Sequence, residues 1–427
     1  MKNTILPILL FISLFSFSQT TLTEKQWLED LDFMLSRLDS IHPNLYVNVT
    51  KEQLQEKRNA LIERIPTLSD NEIIVELLKI VTTIQDGHTR LHGRNLTKKW
   101  YPLRIENFSD GYYITAITEE QSRFIGSKVT SINNLPIEKV FQKIEEITPH
   151  DNIYGQEYFA PMFLTMSSIL SGLHIINSSE DDLIVNTNDK NDEKLILKPI
   201  QFMTGDDLQW FWSDYAVPTD SYSNIMLVDS LLPYYLQNYN KPYWYKYINQ
   251  EKTVYFAFNK CEDNEEDRFK SFNSELWKTI DSLNAEYLII DLRNNFGGTN
   301  SIIEPLLHEI IKHDEINKKG NLFIITSKKT FSAALHCATW IEFHCNPIFV
   351  GEPTGAAPNH YADPDFSFLP NSKLLLMISK YYWQNSWPWD NREYIDPELK
   401  VNLSSTDYFN FKDPALDEIF KYIEQAK

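Results

Sequence analysis

Cysteine is nearly missing from this 427-residue chain, which carries three, Cys261, Cys337 and Cys345. Three thiols cannot all pair within one molecule, and a disulfide-built scaffold would need many more. His336-Cys337 and His344-Cys345 superficially look like a metal-ligand set, but they sit eight residues apart on a predicted helix, about 12 Å of rise. That is too far for one tetrahedral zinc, so they read as core. Runs of lysine or arginine are also missing. With a formal net charge of −19, the chain repels a nucleic-acid backbone, and no nucleic-acid partner is expected. After the first twenty residues no stretch is long and apolar enough to span a bilayer.

The chain opens Met1-Lys2-Asn3, continues with an apolar run from Ile5 to Phe17 and closes on small residues before Gln19. These are the parts of a secretory signal peptide, residues 1–18, and imply a periplasmic or secreted protein with no integral membrane segment after cleavage. No cysteine near that point supports a lipid anchor. The whole chain is 42% hydrophobic and 13% aromatic, enough for packed interiors, and its length suggests two or three domains.

Thr23 with Gln26 and Ser69 with Glu72 form capping-box patterns ahead of apolar periodic runs, and Lys51 to Arg64 also reads as helix. Residues 19–98 are therefore expected as a helical domain whose last helix ends at Asp86-Gly87, with the glycine in the left-handed position. Short alternating runs follow. The stretch from Gly126 to Ile137, with a helix from Glu138 to Glu146, suggests a PDZ-like module in a β region over 99–200, although a small β domain without a peptide groove fits the same residues. The aromatics between Trp210 and Tyr247 read as core or interface.

Over 201–427 strands and helices alternate. Thr253–Phe258, Tyr287–Leu292, Leu322–Thr326 and Ile348–Val350 read as strands, with helices at Asp267–Leu283, Ser301–Lys312 and from about Ser332. That pattern predicts a mostly parallel sheet with helices packed on it. Ligands then gather beyond the carboxyl ends of the strands, where Gly297-Gly298, Ser332 and the loop Gly351–Gly355 should meet. A serine at a helix start, beside the Ala333 N–H and a glycine pair, offers a nucleophile and an oxyanion hole. Alone, Ser332 reads equally as a helix N-cap.

Four segments, in order, settle the choice: Asp86-Gly87-His88-Thr89, Asp291 to Gly298, Thr330-Phe331-Ser332-Ala333-Ala334, and Gly351-Glu352-Pro353-Thr354-Gly355. Together they resemble the C-terminal processing (tail-specific) serine peptidases and their tricorn-like relatives. The resemblance implies an α/β protease core of the ClpP/crotonase-like type, with an N-terminal helical domain and a PDZ-like β domain. It also implies Ser332 as nucleophile and an oxyanion hole from Gly297, Gly298 and the Ala333 amide. Processing peptidases take their base from a lysine about 25 residues past the serine, yet no lysine lies between Lys329 and Lys373. The tricorn-like branch uses a histidine, and His88 occupies that position, with His360 as the alternative imidazole. The acid that orients it is expected at Asp390, or else Glu393. Two residues depart from the family: Gly87 stands where a serine precedes the histidine, and Phe296 stands where a small residue precedes the glycines. Arg293 and Asp291 are expected to anchor the glycine loop, and Lys328 and Lys329 to be solvated. No metal or organic cofactor is implied. The substrate is a peptide or protein, and the rival reading is a non-catalytic ligand-binding or PDZ-adaptor protein on the same scaffold.

Overall fold

The computed structural model describes residues 22–93, 96–188, 194–201, 222–224, 232–263 and 268–427. The expected signal peptide, residues 1–18, and much of the aromatic stretch between Trp210 and Tyr247 lie outside them.

The core is a six-stranded sheet in the order Leu399–Lys400, Ile348–Gly351, Leu322–Thr326, Tyr287–Asp291, Thr253–Phe258, Tyr243–Ile248. The first five strands run parallel and the last antiparallel. Successive strands are neighbours, so the right-handed crossovers all lie on one face. The helices Phe269–Ser282, Glu304–Lys312 and Ala333–His344 pack there on Phe256, Ile290, Ile324 and Phe349, while Pro414–Ala426 covers Tyr255, Ile289, Phe323 and Val350 on the other. Cover on both sides explains why these strands are continuous apolar runs rather than alternating ones.

Before the core lie the helices Glu24–Ile41, Lys51–Arg64 and Asp70–Thr82, each opened by a complete capping box, including one at Thr50 and Gln53. The third helix stops earlier than the sequence suggests. It is Gln85, at φ +55°, that takes the left-handed turn, and Gly87 has another use, described below. Residues 99–200 build antiparallel sheets. Leu103–Phe108 pairs with Gly111–Thr118, and Val129–Ile132 lies between Leu135–Pro136 and Leu183–Thr187, beside the helix Ile137–Glu145.

The long hairpin Asn359–Phe368 and Leu375–Gln384 stands apart from the core sheet and pairs with Arg90–Leu91. Its Leu369, Leu374, Leu376 and Ile378 share one apolar cluster with Trp27, Leu31 and Met34 of the first helix. The buried Asp30 carboxylate fixes the hairpin tip by accepting the N–H groups of Asn371 and Ser372, each at 2.8 Å. Hydrogen bonds to a charged group contribute roughly 1.5–3 kcal/mol each. Asp30→Ala, which removes the acceptor of two half-buried donors, is expected to lower unfolding stability by about 3 kcal/mol, read as a shift in the urea midpoint at unchanged slope.

Candidate active site

The loops after three parallel strands close on one another. Thr330 Oγ1 donates to Leu292 O at 3.0 Å, Ser327 Oγ to Arg293 O at 2.6 Å, and Gly355 N to Thr330 O at 3.2 Å. Below them Arg293 bonds Asp291 and, through both terminal nitrogens, Asp413. This buried network anchors the glycine loop. Lys328 and Lys329 are not solvated: Lys328 Nζ donates to Asn107 O at 2.5 Å and Lys329 pairs with Glu106. Both tie the Ser332 loop to the β region.

At the turn itself Ser332 has φ +52° and ψ −127°, and its side chain does not cap the helix Ala333–His344 that it opens. A non-glycine residue held there is strained by roughly 1–3 kcal/mol, and such strain clusters at functional sites. The N-cap reading of Ser332 therefore fails. Gly297, at φ +110°, packs so closely that an added Cβ would lie 2.7 Å from Ser332 Cβ and 2.9 Å from Ala333 N. Its own N–H is taken by Asn295 Oδ1 at 2.9 Å. The N–H groups of Gly298 and Ala333 donate to no acceptor among the described residues.

His88 is buried at 7% exposure and stacks on Phe331, the residue before Ser332, with centroids 4.4 Å apart. Gly87 makes this approach possible, since a Cβ there would sit 3.0 Å from the Phe331 ring and 3.1 Å from Asp151 Oδ2. His360 also stacks on His88, at 5.9 Å, and Phe296 stacks on Phe331 at 5.0 Å. His360 Nδ1 lies 3.0 Å from Ala357 O. A carbonyl only accepts, so Nδ1 carries the proton and Nε2 the lone pair. Burial drives His88 down to about 3, against the opposing pull of Asp86, and also lowers His360. The Nδ1 of His88 is buried with no hydrogen-bond partner. Ser332 Oγ likewise bonds to nothing among the described residues, so neither imidazole is hydrogen-bonded to it.

The expected acids are not beside the histidines. Asp390 is claimed by Arg392, at 2.8 Å, and by Ser386 Oγ, at 2.7 Å, while Arg392 also grips Glu342 near the far end of the Ser332 helix. Glu393 is exposed and contributes its main-chain carbonyl to Asn152. The carboxylate that reaches His88 is Asp86, which sequence reasoning passed over. Its Oδ1 accepts the main-chain N–H of His88, not a ring N–H, at 2.9 Å, and its Oδ2 meets Thr89 Oγ1 at 2.5 Å and His42 Nε2 at 3.2 Å. The Asn44 N–H donates to His42 Nδ1 at 3.2 Å, so the His42 proton sits on Nε2 and faces Asp86. Burial alone would raise the Asp86 carboxyl, but the hydrogen bond of His42, the attraction of the His88 ring when protonated and the hydrogen bond of Thr89 hold it below the usual range. The one sequence signal for this role was the acid two positions before His88.

No protein-family profile and no curated protein sequence matches the chain. Solved structures do. Mature CPAF is 12% identical, with a TM-score of 0.63 over 94% of this chain and 97% of that one. The fold is similar to that of CPAF. CPAF complexed with lactacystin gives 11% identity and 0.63 over 94% and 98%, so the likeness to CPAF takes in the helical, β and α/β regions together. A photosystem II D1 C-terminal processing protease matches at 10% identity over 90% and 94%, with a TM-score of 0.41, too low to argue from. Among the described residues no helix is long and apolar enough to cross a membrane.

A histidine buried in its neutral form gives a stability term with a definite sign. The folded pKa of His88, about 3, lies below the ordinary 6.5. The unfolded chain therefore binds more protons between these values, and stability is lost as pH falls from about 6.5 toward 3. From pH 7 to pH 5 the single group contributes a loss on the order of 2 kcal/mol. Urea midpoints at the two pH values should differ less in His88→Gln than in the parent protein.

Proposed function

We propose that this protein is an exported serine peptidase of the tail-specific, tricorn-like kind, with Ser332 as nucleophile and His88 as general base. The observation that carries the reading is the strained backbone of Ser332, which caps nothing and is held against Gly297 and the free Ala333 amide. In the proposed reaction the His88 imidazole takes the hydroxyl proton as Ser332 Oγ attacks a peptide carbonyl. The N–H groups of Ala333 and Gly298 hold the oxyanion, the Gly297 amide being engaged by Asn295. His88 then protonates the leaving amine, and water releases the acyl group. The imidazolium formed in between is stabilised by Asp86, in place of Asp390 or Glu393. His88 stacks on Phe331, the residue before Ser332, and catalytic hydrogen bonds absent from an unliganded site commonly form around substrate. Support for export is the leader at residues 1–18, and support for a peptide substrate is the combined resemblance of the four motifs. The β region at 99–200 would present the extended chain.

One observation favours a non-catalytic ligand-binding protein: no imidazole is hydrogen-bonded to Ser332 Oγ. A serine-directed fluorophosphonate separates the two readings. Peptidase chemistry requires covalent labelling at Ser332, lost in Ser332→Ala with the fold intact. His88→Ala should slow labelling by about 10²–10⁴-fold. An unlabelled parent protein would overturn the hydrolase reading.

A further inference from the structure

We propose that Asp151 and Asn152 form a clamp that holds the His88 turn in register with the Ser332 loop, and that both are positioning residues for the proposed reaction. The proposal rests on the peptidase reading and adds the means by which its two halves are aligned. His88 and Ser332 lie far apart in sequence, and the ring of His88 meets the serine loop through a stack on Phe331. Stacked rings slide past each other at little cost, whereas hydrogen bonds to main-chain groups are directional.

The two adjacent side chains serve opposite sides of the site. Asp151 Oδ1 accepts the Gly87 N–H at 3.1 Å, directly beside His88. Asn152 Nδ2 donates to Thr354 O at 3.1 Å and to Glu393 O at 2.7 Å. Thr354 is itself fixed, its Oγ1 accepting the Ile395 N–H at 2.9 Å, and the next residue, Gly355, donates its N–H to Thr330 O, two residues before Ser332. A continuous series of links therefore runs from the amide before His88 to the loop that carries Ser332. Main chains are pressed together along it: a Cβ at Gly155 would lie 2.3 Å from Gly355 O, and one at Gly355 would lie 2.2 Å from Lys328 O.

Helix capping does not account for Asn152. Its Oδ1 caps the helix Ile153–Phe163 by accepting the Gly155 N–H at 2.9 Å, and a cap needs only that oxygen. Serine or aspartate caps a helix as well, but neither carries the two N–H donors of an amide, and both donors go to carbonyls outside this helix. Asp151 is likewise no surface acid. Its Oδ2 is shut off from solvent with no hydrogen-bond partner. Burial, with the charge of Asp86, raises its carboxyl well above the ordinary value, against the pull of the Gly87 amide and Arg90. A neutral acid that works as a main-chain acceptor is a role asparagine reproduces.

Rates of fluorophosphonate labelling at Ser332 test the clamp. Asp151→Ala, and Asn152→Ser, which keeps a helix cap, should each slow labelling roughly tenfold to a hundredfold, the cost of misplacing a reacting group by about 1 Å. Asp151→Asn should restore most of the rate. In the His88→Ala protein the same substitutions should have little further effect, since a clamp acts through the imidazole it positions, whereas a merely structural loss would repeat in full on that background. Hydrogen exchange read by mass spectrometry requires no chemistry at Ser332. Either substitution should speed exchange in both segments 84–92 and 351–357, because the clamp joins them. Four results would overturn it: labelling as fast as in the parent, losses repeated in full without His88, no rescue by asparagine, or faster exchange only in the segment that the substituted side chain touches. If Asp151→Ala does not fold, Asn152→Ser carries the same test from the other side. An unlabelled parent protein would instead remove the peptidase reading, and exchange in the two segments would still decide whether they are clamped together.

Discussion

The close contact between Gly297 and Ser332 is the constraint around which the site is arranged. No side chain other than hydrogen fits at Gly297, because the Ser332 Cβ and the Ala333 amide already occupy the space. The contact keeps the serine in an unfavourable backbone conformation, and the surrounding hydrogen bonds keep the contact. Asn295 bonds the Gly297 amide and also reaches back to Phe258 O at 2.8 Å. Thr330 and Ser327 fasten the serine loop to the carbonyls of Leu292 and Arg293. Strain of this kind persists only where many bonds fix the loop, and the parallel sheet supplies them by delivering three loops to one rim.

Much of this was legible because local signals matched the final structure. Strands buried on both faces are continuous apolar runs, and capping boxes mark helix starts whatever lies around them. Ser332 and the glycine pair each follow such a strand, so topology placed them together. Residues whose role depends on distant parts of the chain were not legible. Asp390 sits at a plausible spacing from Ser332, but Arg392, two positions away, takes its charge. Nothing local announces that the Thr89 hydroxyl will accept the amide of Ser379, or that hairpin register will bring His360 beside His88. Gly87 was recognised, but for the wrong reason: the left-handed turn belongs to Gln85, and the glycine admits Phe331.

The electrostatics of the site separate charge from neutrality over a short span. Burial lowers His88, His360 and His336, while Asp86 keeps its charge through three polar neighbours. Neutral imidazoles thus lie beside one fixed anion. The aromatic stack of His88, Phe331 and Phe296 excludes water around these groups and strengthens each interaction among them.

The hairpin that carries His360 has a consequence for the order of assembly. Its leucines complete the interior of the first helices, although they are encoded more than three hundred residues later; Arg37, for example, bonds Asp365 across 328 positions. Contacts so remote in sequence are slow to form. The helical region that bears His88 lacks part of its interior until nearly the whole polypeptide has been synthesised. The His88 ring and the Ser332 loop thus reach their final packing only when the chain is nearly complete.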